Sequence, residues 1–82
     1  MPEHLIDVDG GQLTAFSCGC GPAVLFLHGW ALDQRMWASQ LCLAASGFTV
    51  ITVDRRGFGT STAPPDINLE VDDIRMVLDS LG

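Results

Sequence analysis

The sequence has no lysine, and its four arginines face ten acidic residues, for a net charge of −6. Without a basic cluster to neutralise phosphates, nucleic acid and anionic membrane surfaces are poor partners. Long apolar runs are missing too. No uninterrupted one is longer than Ala23 to Leu27, far short of the roughly 20 residues that a membrane-spanning helix needs. Met1-Pro2-Glu3-His4 has neither the basic start nor the apolar stretch of a secretory signal, so a cytoplasmic location is expected. Cysteine is limited to Cys18, Cys20 and Cys42. An odd number without an export signal points to reduced thiols rather than a disulfide framework. Cys18-Gly19-Cys20 lacks the second pair that a four-ligand zinc site requires. The three thiols therefore read as turn and core residues, and neither a metal nor a cofactor is expected.

Apolar residues make up 48% of the chain and charged residues 17%, a composition that needs a core. The 82 residues are room for one small domain. A chain of that size buries only about 60 to 65% of its unfolded surface, so its stability is expected to be marginal.

Leu5-Ile6-Asp7-Val8 and Gln12 to Ser17, joined by Asp9-Gly10-Gly11, carry a β-hairpin signal. After the glycine-rich turn Cys18 to Pro22, the run Ala23 to Leu27 has the pattern of a strand buried on both faces. Asp33 is placed to cap a helix over Gln34 to Ser46, with Trp37, Leu41, Ala44 and Ala45 as its apolar stripe and Gly47 as its C-terminal cap. The stripe assigns Trp37 to the core. Phe48 to Val53, rich in β-branched residues, is a second buried strand ending at Asp54. The stretch Arg55 to Asp66 is a loop. A last helix over Leu69 to Leu81 has Val71, Ile74, Leu78 and Leu81 on one stripe, and Glu70, Asp72 and Asp73 at its start, where the helix dipole favours negative charge. Hairpin, strand, helix, strand, helix is the alternation of an α/β sheet with parallel strands. No internal repeat or linker interrupts it.

In such sheets ligands gather beyond the C-terminal ends of the strands, here the loops His28 to Asp33 and Asp54 to Ser61. Gly29 lets backbone approach a ligand closely, and the free N–H groups beyond it are what an oxyanion hole requires. His28, Gly29 and Trp30 are therefore the candidate substrate contacts. A histidine at a strand end is more often a hydrogen-bonded buttress than a base, and no nucleophile lies beside His28 in the sequence. Trp30 reads equally well as a pocket lining and as core.

Several other signals resolve into structure. Gly59-Thr60-Ser61-Thr62-Ala63 approximates a G-x-S-x-G nucleophile elbow, but Asp54 to Phe58 separate it from its strand and Pro64-Pro65 follow it. Ser61 is then a loop hydroxyl. Gly57-x-Gly59 lacks the third glycine of a dinucleotide fingerprint, and Gly19-x-Gly21 precedes a strand instead of following one. Asp54 is expected to accept backbone N–H groups in its turn and Arg56 to brace the neighbouring loop. Asp72 and Asp73 read as a solvated helix start. His4, Ser17, Ser39 and Ser46 have no evident partners.

Leu27-His28-Gly29-Trp30 after an apolar strand, Trp37 seven residues on, and Val53-Asp54-Arg55-Arg56-Gly57-Phe58-Gly59-Thr60-Ser61 together resemble the N-terminal part of the α/β-hydrolase superfamily. The similarity is greatest to esterases, enol-lactonases, haloperoxidase-like perhydrolases and pimeloyl-ester carboxylesterases. The resemblance implies that the backbone N–H of Trp30 is one of two oxyanion donors and that His28 shapes the loop. It also implies a serine nucleophile, an acid and a catalytic histidine in later segments, none of them present in these 82 residues. Residues 1–82 are thus expected to form a single partial domain, ending before the nucleophile elbow and inactive alone. Epoxide hydrolases and haloalkane dehalogenases resemble H-G-x-P at this loop, where this chain has Ala31. That departure favours an ester, lactone or related small-molecule acyl substrate. The family's strand order would put Phe48 to Val53 between the hairpin and Ala23 to Leu27, leaving the latter strand at an edge open to self-association. The competing expectation is a non-enzymatic interaction or dimerisation module, with a dinucleotide-binding half-domain a distant third.

Overall fold

The computed structural model describes residues 2–29 and 31–82. Asp9-Gly10, with Gly10 at φ 91°, turns β1 (Glu3–Val8) into β2 (Gly11–Cys18), and the two pair antiparallel from Glu3↔Phe16 to Val8↔Gly11. β3 (Ala23–Leu27) leads through a helix at Gln34–Ser46 to β4 (Thr49–Asp54). β4 lies parallel to β3, with Leu27 opposite Val53, and antiparallel to β2, with Thr14 opposite Asp54. The sheet order is β1-β2-β4-β3, so β3 is an edge strand, as the resemblance implies. A short 3₁₀ turn (Ile67–Leu69) enters α1 (Glu70–Leu81).

Side-chain alternation assigns the two sheet faces to the two helices. Leu13, Ala15, Ile51 and Val53 share one face and form the main core with Ile6, Ala63 and Val77 of α1. Thr52 and Phe26 lie on the other face, where the Thr52 hydroxyl donates to Gln34 Oε1 at 3.1 Å and Phe26 meets Trp37 at 4.8 Å between ring centroids.

Five expectations are corrected. β3 is not buried on both faces. Val24, Leu25 and Phe26 are half-buried and Leu27 is 39% exposed, because only β4 flanks the strand and a groove of about 390 Å³ lies beside Leu25, Leu27, Ile74 and Val77. The helix at 34–46 has the expected bounds and caps, with Asp33 accepting from Arg35 N–H and Gly47 left-handed at φ 91°, but it is wound as a 3₁₀ helix. At three residues per turn, the stripe Trp37, Leu41, Ala44 and Ala45 spreads over three directions about 120° apart, where an α-helix would hold it within about 100°. None of the helix's residues is fully buried, and Trp37 is half-buried instead of core.

On α1 the buried positions are Asp73 and Val77, flanked by the half-buried Ile74 and Leu81, whereas Val71 is 68% exposed. The buried face is rotated by roughly 60° from the apolar stripe. Asp73 is therefore no solvated helix start: it is buried against Arg56, as described below. Asp72 is exposed as expected.

Candidate active site

Because β3 and β4 run parallel and in register, His28 and Asp54 emerge side by side at the same end of the sheet. His28 is 1% exposed, and its imidazole is fully engaged by backbone. Nε2 accepts the Arg55 N–H at 2.8 Å, so Nδ1 carries the proton and donates to the Gly29 carbonyl at 2.8 Å. Phe58 stands edge-on to the ring at 5.3 Å. With both nitrogens used, the imidazole has the geometry of a buttress.

The Gly29 carbonyl also accepts from Leu32 N–H at 3.2 Å, closing the loop. Ala31 lies within that turn at φ 63°, a left-handed conformation closed to proline, whose ring holds φ near −65°. Asp33 then caps the following helix and pairs with Arg35 at 2.8 Å, and hydrogen bonding from that guanidinium holds its carboxyl below the usual carboxylate range. Trp30, which carries the oxyanion-donor assignment and the open choice between pocket and core, lies outside the described residues.

Asp54 organises the second loop. One carboxylate oxygen accepts Gln34 N–H at 2.8 Å, and the other accepts both the N–H and the hydroxyl of Thr60 at 3.1 Å. Gly59 makes this possible: it sits at φ 54°, and a Cβ there would run into the Asp54 carboxylate. Ser61 accepts Thr14 N–H at 2.9 Å and donates to the Asp54 carbonyl, so its hydroxyl is consumed in tying β2 to β4. Asp54 and Ser61 thus hold the turn-forming roles read from the sequence.

The two adjacent arginines divide the work of holding α1. Arg56, 2% exposed, makes a bidentate pair with Asp73, at 2.7 Å from both Nε and Nη2, and also donates to the carbonyls of Asp9 and Pro64. Arg55 pairs with Glu70 at 2.6 and 2.8 Å and donates from Nη1 to the His28 carbonyl at 2.9 Å. Each carboxylate raises its guanidinium further above an already high range. Sequence reasoning missed these pairs. Their signal is consecutive arginines after β4 against acids three apart, Glu70 and Asp73, on one helix face.

His4 and Ser17 do find partners: His4 Nε2 lies 3.0 Å from Ser17 Oγ across the hairpin, and Ser39 donates to Gln40 Oε1 at 3.0 Å. Cys18, Cys20 and Cys42 are free thiols, with Cys20 and Cys42 exposed rather than in the core. Among the described residues, no group of His, Cys, Asp or Glu side chains is arranged to hold a metal ion.

Comparison with known proteins places this arrangement. Residues 22–82 match the alpha/beta hydrolase fold family. An epoxide hydrolase of Caballeronia sordidicola is 40% identical over 70 residues, covering 84% of this chain and 21% of that protein. A fluoroacetate dehalogenase of a Burkholderia species is 40% identical over 62 residues, covering 76% of this chain and 20% of that protein. Among solved structures, an epoxide hydrolase of Vigna radiata superposes with a TM-score of 0.85 at 34% identity, covering 99% of this chain and 28% of that one. A bromoperoxidase of Bacillus anthracis gives 0.87 at 30% identity, covering 98% and 31%. The relatives named for epoxide hydrolysis run against the lower rank that Ala31 assigned to that chemistry. This chain therefore spans between a fifth and a third of the length of these relatives, and it belongs to the alpha/beta hydrolase fold family.

Proposed function

We propose that these residues form the N-terminal part, one partial domain, of a hydrolase acting on a carboxylic ester, lactone or related acyl substrate, and that they contribute one oxyanion-hole donor, the Trp30 N–H. The observation that carries the acyl reading is Ala31 at φ 63°, a backbone path that the H-G-x-P pattern of epoxide hydrolases cannot follow. Gly29, exposed and without a side chain, leaves space for the substrate oxygen, and His28 holds the loop from behind.

One oxyanion donor contributes about 3 kcal/mol to transition-state stabilisation, whereas a missing triad costs about a millionfold in rate. The 82-residue chain alone is therefore inactive. Purified and mixed with a short p-nitrophenyl ester, it should show no more turnover than a variant lacking residues 28–33; measurable excess turnover refutes this. In a longer protein carrying the segment, Trp30→Pro removes the N–H and should lower kcat on esters about 100- to 1000-fold with little change in KM. The relatives' names favour a second reading, in which the substrate is an epoxide. A substrate panel that opens epoxides and leaves esters intact selects it.

The free thiols suit the reducing cytoplasm. No helix among the described residues is long and apolar enough to cross a membrane. We further propose that the isolated chain self-associates through the open edge of β3, whose Ala23–Leu27 has no charge or proline to blunt it. Sedimentation should show dimers or larger species that Val24→Lys disperses; a monomeric boundary in the parent chain rules this out.

A further inference from the structure

The imidazole of His28 ties together the two loops that border the candidate site. Its Nε2 accepts the backbone N–H of Arg55, 27 positions further along the chain, at 2.8 Å, and its Nδ1–H donates to the Gly29 carbonyl at 2.8 Å. One acceptor and one donor are what a neutral imidazole offers. A protonated ring offers two donors and no acceptor, so the backbone around His28 matches one protonation state and opposes the other. At 1% exposure, water cannot replace the lost bond while the loops stay closed.

Among the described residues, no neighbouring carboxylate is left open to receive a second ring N–H. Asp33, at the start of helix 34–46, binds Arg35 through both oxygens, and its pull on a charged His28 is weaker than its pull on that guanidinium. Asp54, at the end of β4, is filled by Gln34 N–H and by the N–H and hydroxyl of Thr60. Glu70, on α1, has both oxygens on Arg55. The same Arg55 guanidinium donates to the His28 carbonyl, which sets a positive charge beside the residue, and Phe58 packs an apolar ring against the imidazole.

We propose that His28 is a proton-operated latch between the two loops. Neutral, it holds the loop of residues 54–61 to the loop of residues 28–33; protonated, it gives up the Arg55 N–H and the loops part. The latch is closed above the imidazole range and opens as pH falls through it. This goes beyond the acyl reading and needs neither an ester nor an epoxide as substrate.

The test is an NMR titration of the 82-residue chain from about pH 8 to about pH 5, across the imidazole range. It reads the ring nitrogens of His28 and the exchange protection of the Arg55 amide, corrected for the intrinsic rate at each pH. Proton uptake by the ring should coincide with about a tenfold loss of Arg55 protection, the equivalent of one hydrogen bond, while α1 and the pairing of β2 with β4 keep theirs. His28→Gln retains an acceptor for that N–H and has no proton to gain, so the loss should disappear. If this variant does not fold, the parent titration decides alone. A ring that takes up its proton with Arg55 protection unchanged, or that is still neutral when α1 melts, overturns the latch. A loss that persists in a folded His28→Gln also overturns it and assigns the effect to Asp33, Asp54 or Glu70. No readout involves a substrate, so a protein that spares esters rejects the acyl reading without touching this one.

Discussion

The two helices cover opposite faces of one sheet, yet they are held by different physics. α1 is fastened by two bidentate arginine–carboxylate pairs and by Val77 in the core. The helix at 34–46 is fastened by its ends and by one aromatic contact: Asp33 and Gly47 cap it, Asp54 holds Gln34 N–H, and Trp37 leans on Phe26. The difference shows that an apolar stripe does not alone decide which face a helix buries. On α1 the arginines draw in Glu70 and Asp73, and Val71 and Leu78, the better hydrophobes, are left outside.

The sharpest way to break the comparison is to remove Arg56. Its side chain is 1% exposed and that of Asp73 9%, so Arg56→Met strands a buried carboxylate and should cost about 3 to 5 kcal/mol in urea unfolding. Combining Arg56→Met with Asp73→Leu should recover most of that loss; if it does not, the pair does more than satisfy its own charges.

Gly59→Ala attacks the other helix indirectly. It imposes a left-handed φ on alanine and pushes on the Asp54 carboxylate that holds Gln34 N–H, for an expected cost of about 2 kcal/mol. Amide exchange should rise at the start of helix 34–46 before it rises in α1. Equal loosening of both helices would contradict the division.

Trp37→Phe should have a smaller effect of opposite sign. The indole Nε1 is buried without a partner among the described residues, and a buried orphan donor is costly. Deleting it while keeping an aromatic ring on Phe26 should raise stability by about 1 kcal/mol.

The smallest effect is at Asp33. Its pKa is lowered in the folded chain from 3.8 by Arg35, so its contribution is complete above 3.8 and fades as pH falls through the lower folded value. The stability difference between the parent chain and Asp33→Asn should vanish across that acidic window. A difference that persists below it would assign the cap a role independent of charge.

Much of the frame was legible in the residues alone. Ala23 to Leu27 and the β-branched run before Asp54 read as strands because period and composition agree. The bounds Gln34–Ser46 followed from Asp33 and Gly47, since caps are local chemistry. The expected bracing roles of Asp54 and Arg56 were legible for the same reason, as both serve turns of the adjoining chain. Burial was less legible. The Ala23 to Leu27 pattern read as burial on both faces even though the resemblance put that strand at an edge, and Trp37 could not reveal the tighter winding that turns its stripe apart.

Residue types and spacing thus determined the order of elements, the loop beyond β3 and the family to which it belongs, because each depends on neighbours along the chain. Tertiary structure alone decided that Asp73 is buried, that Arg55 reaches both Glu70 and His28, and that His28 carries its proton on Nδ1. These contacts join residues 15 to 27 positions apart. Pairs of that kind exist only once the sheet has set β3 beside β4 and laid α1 across it.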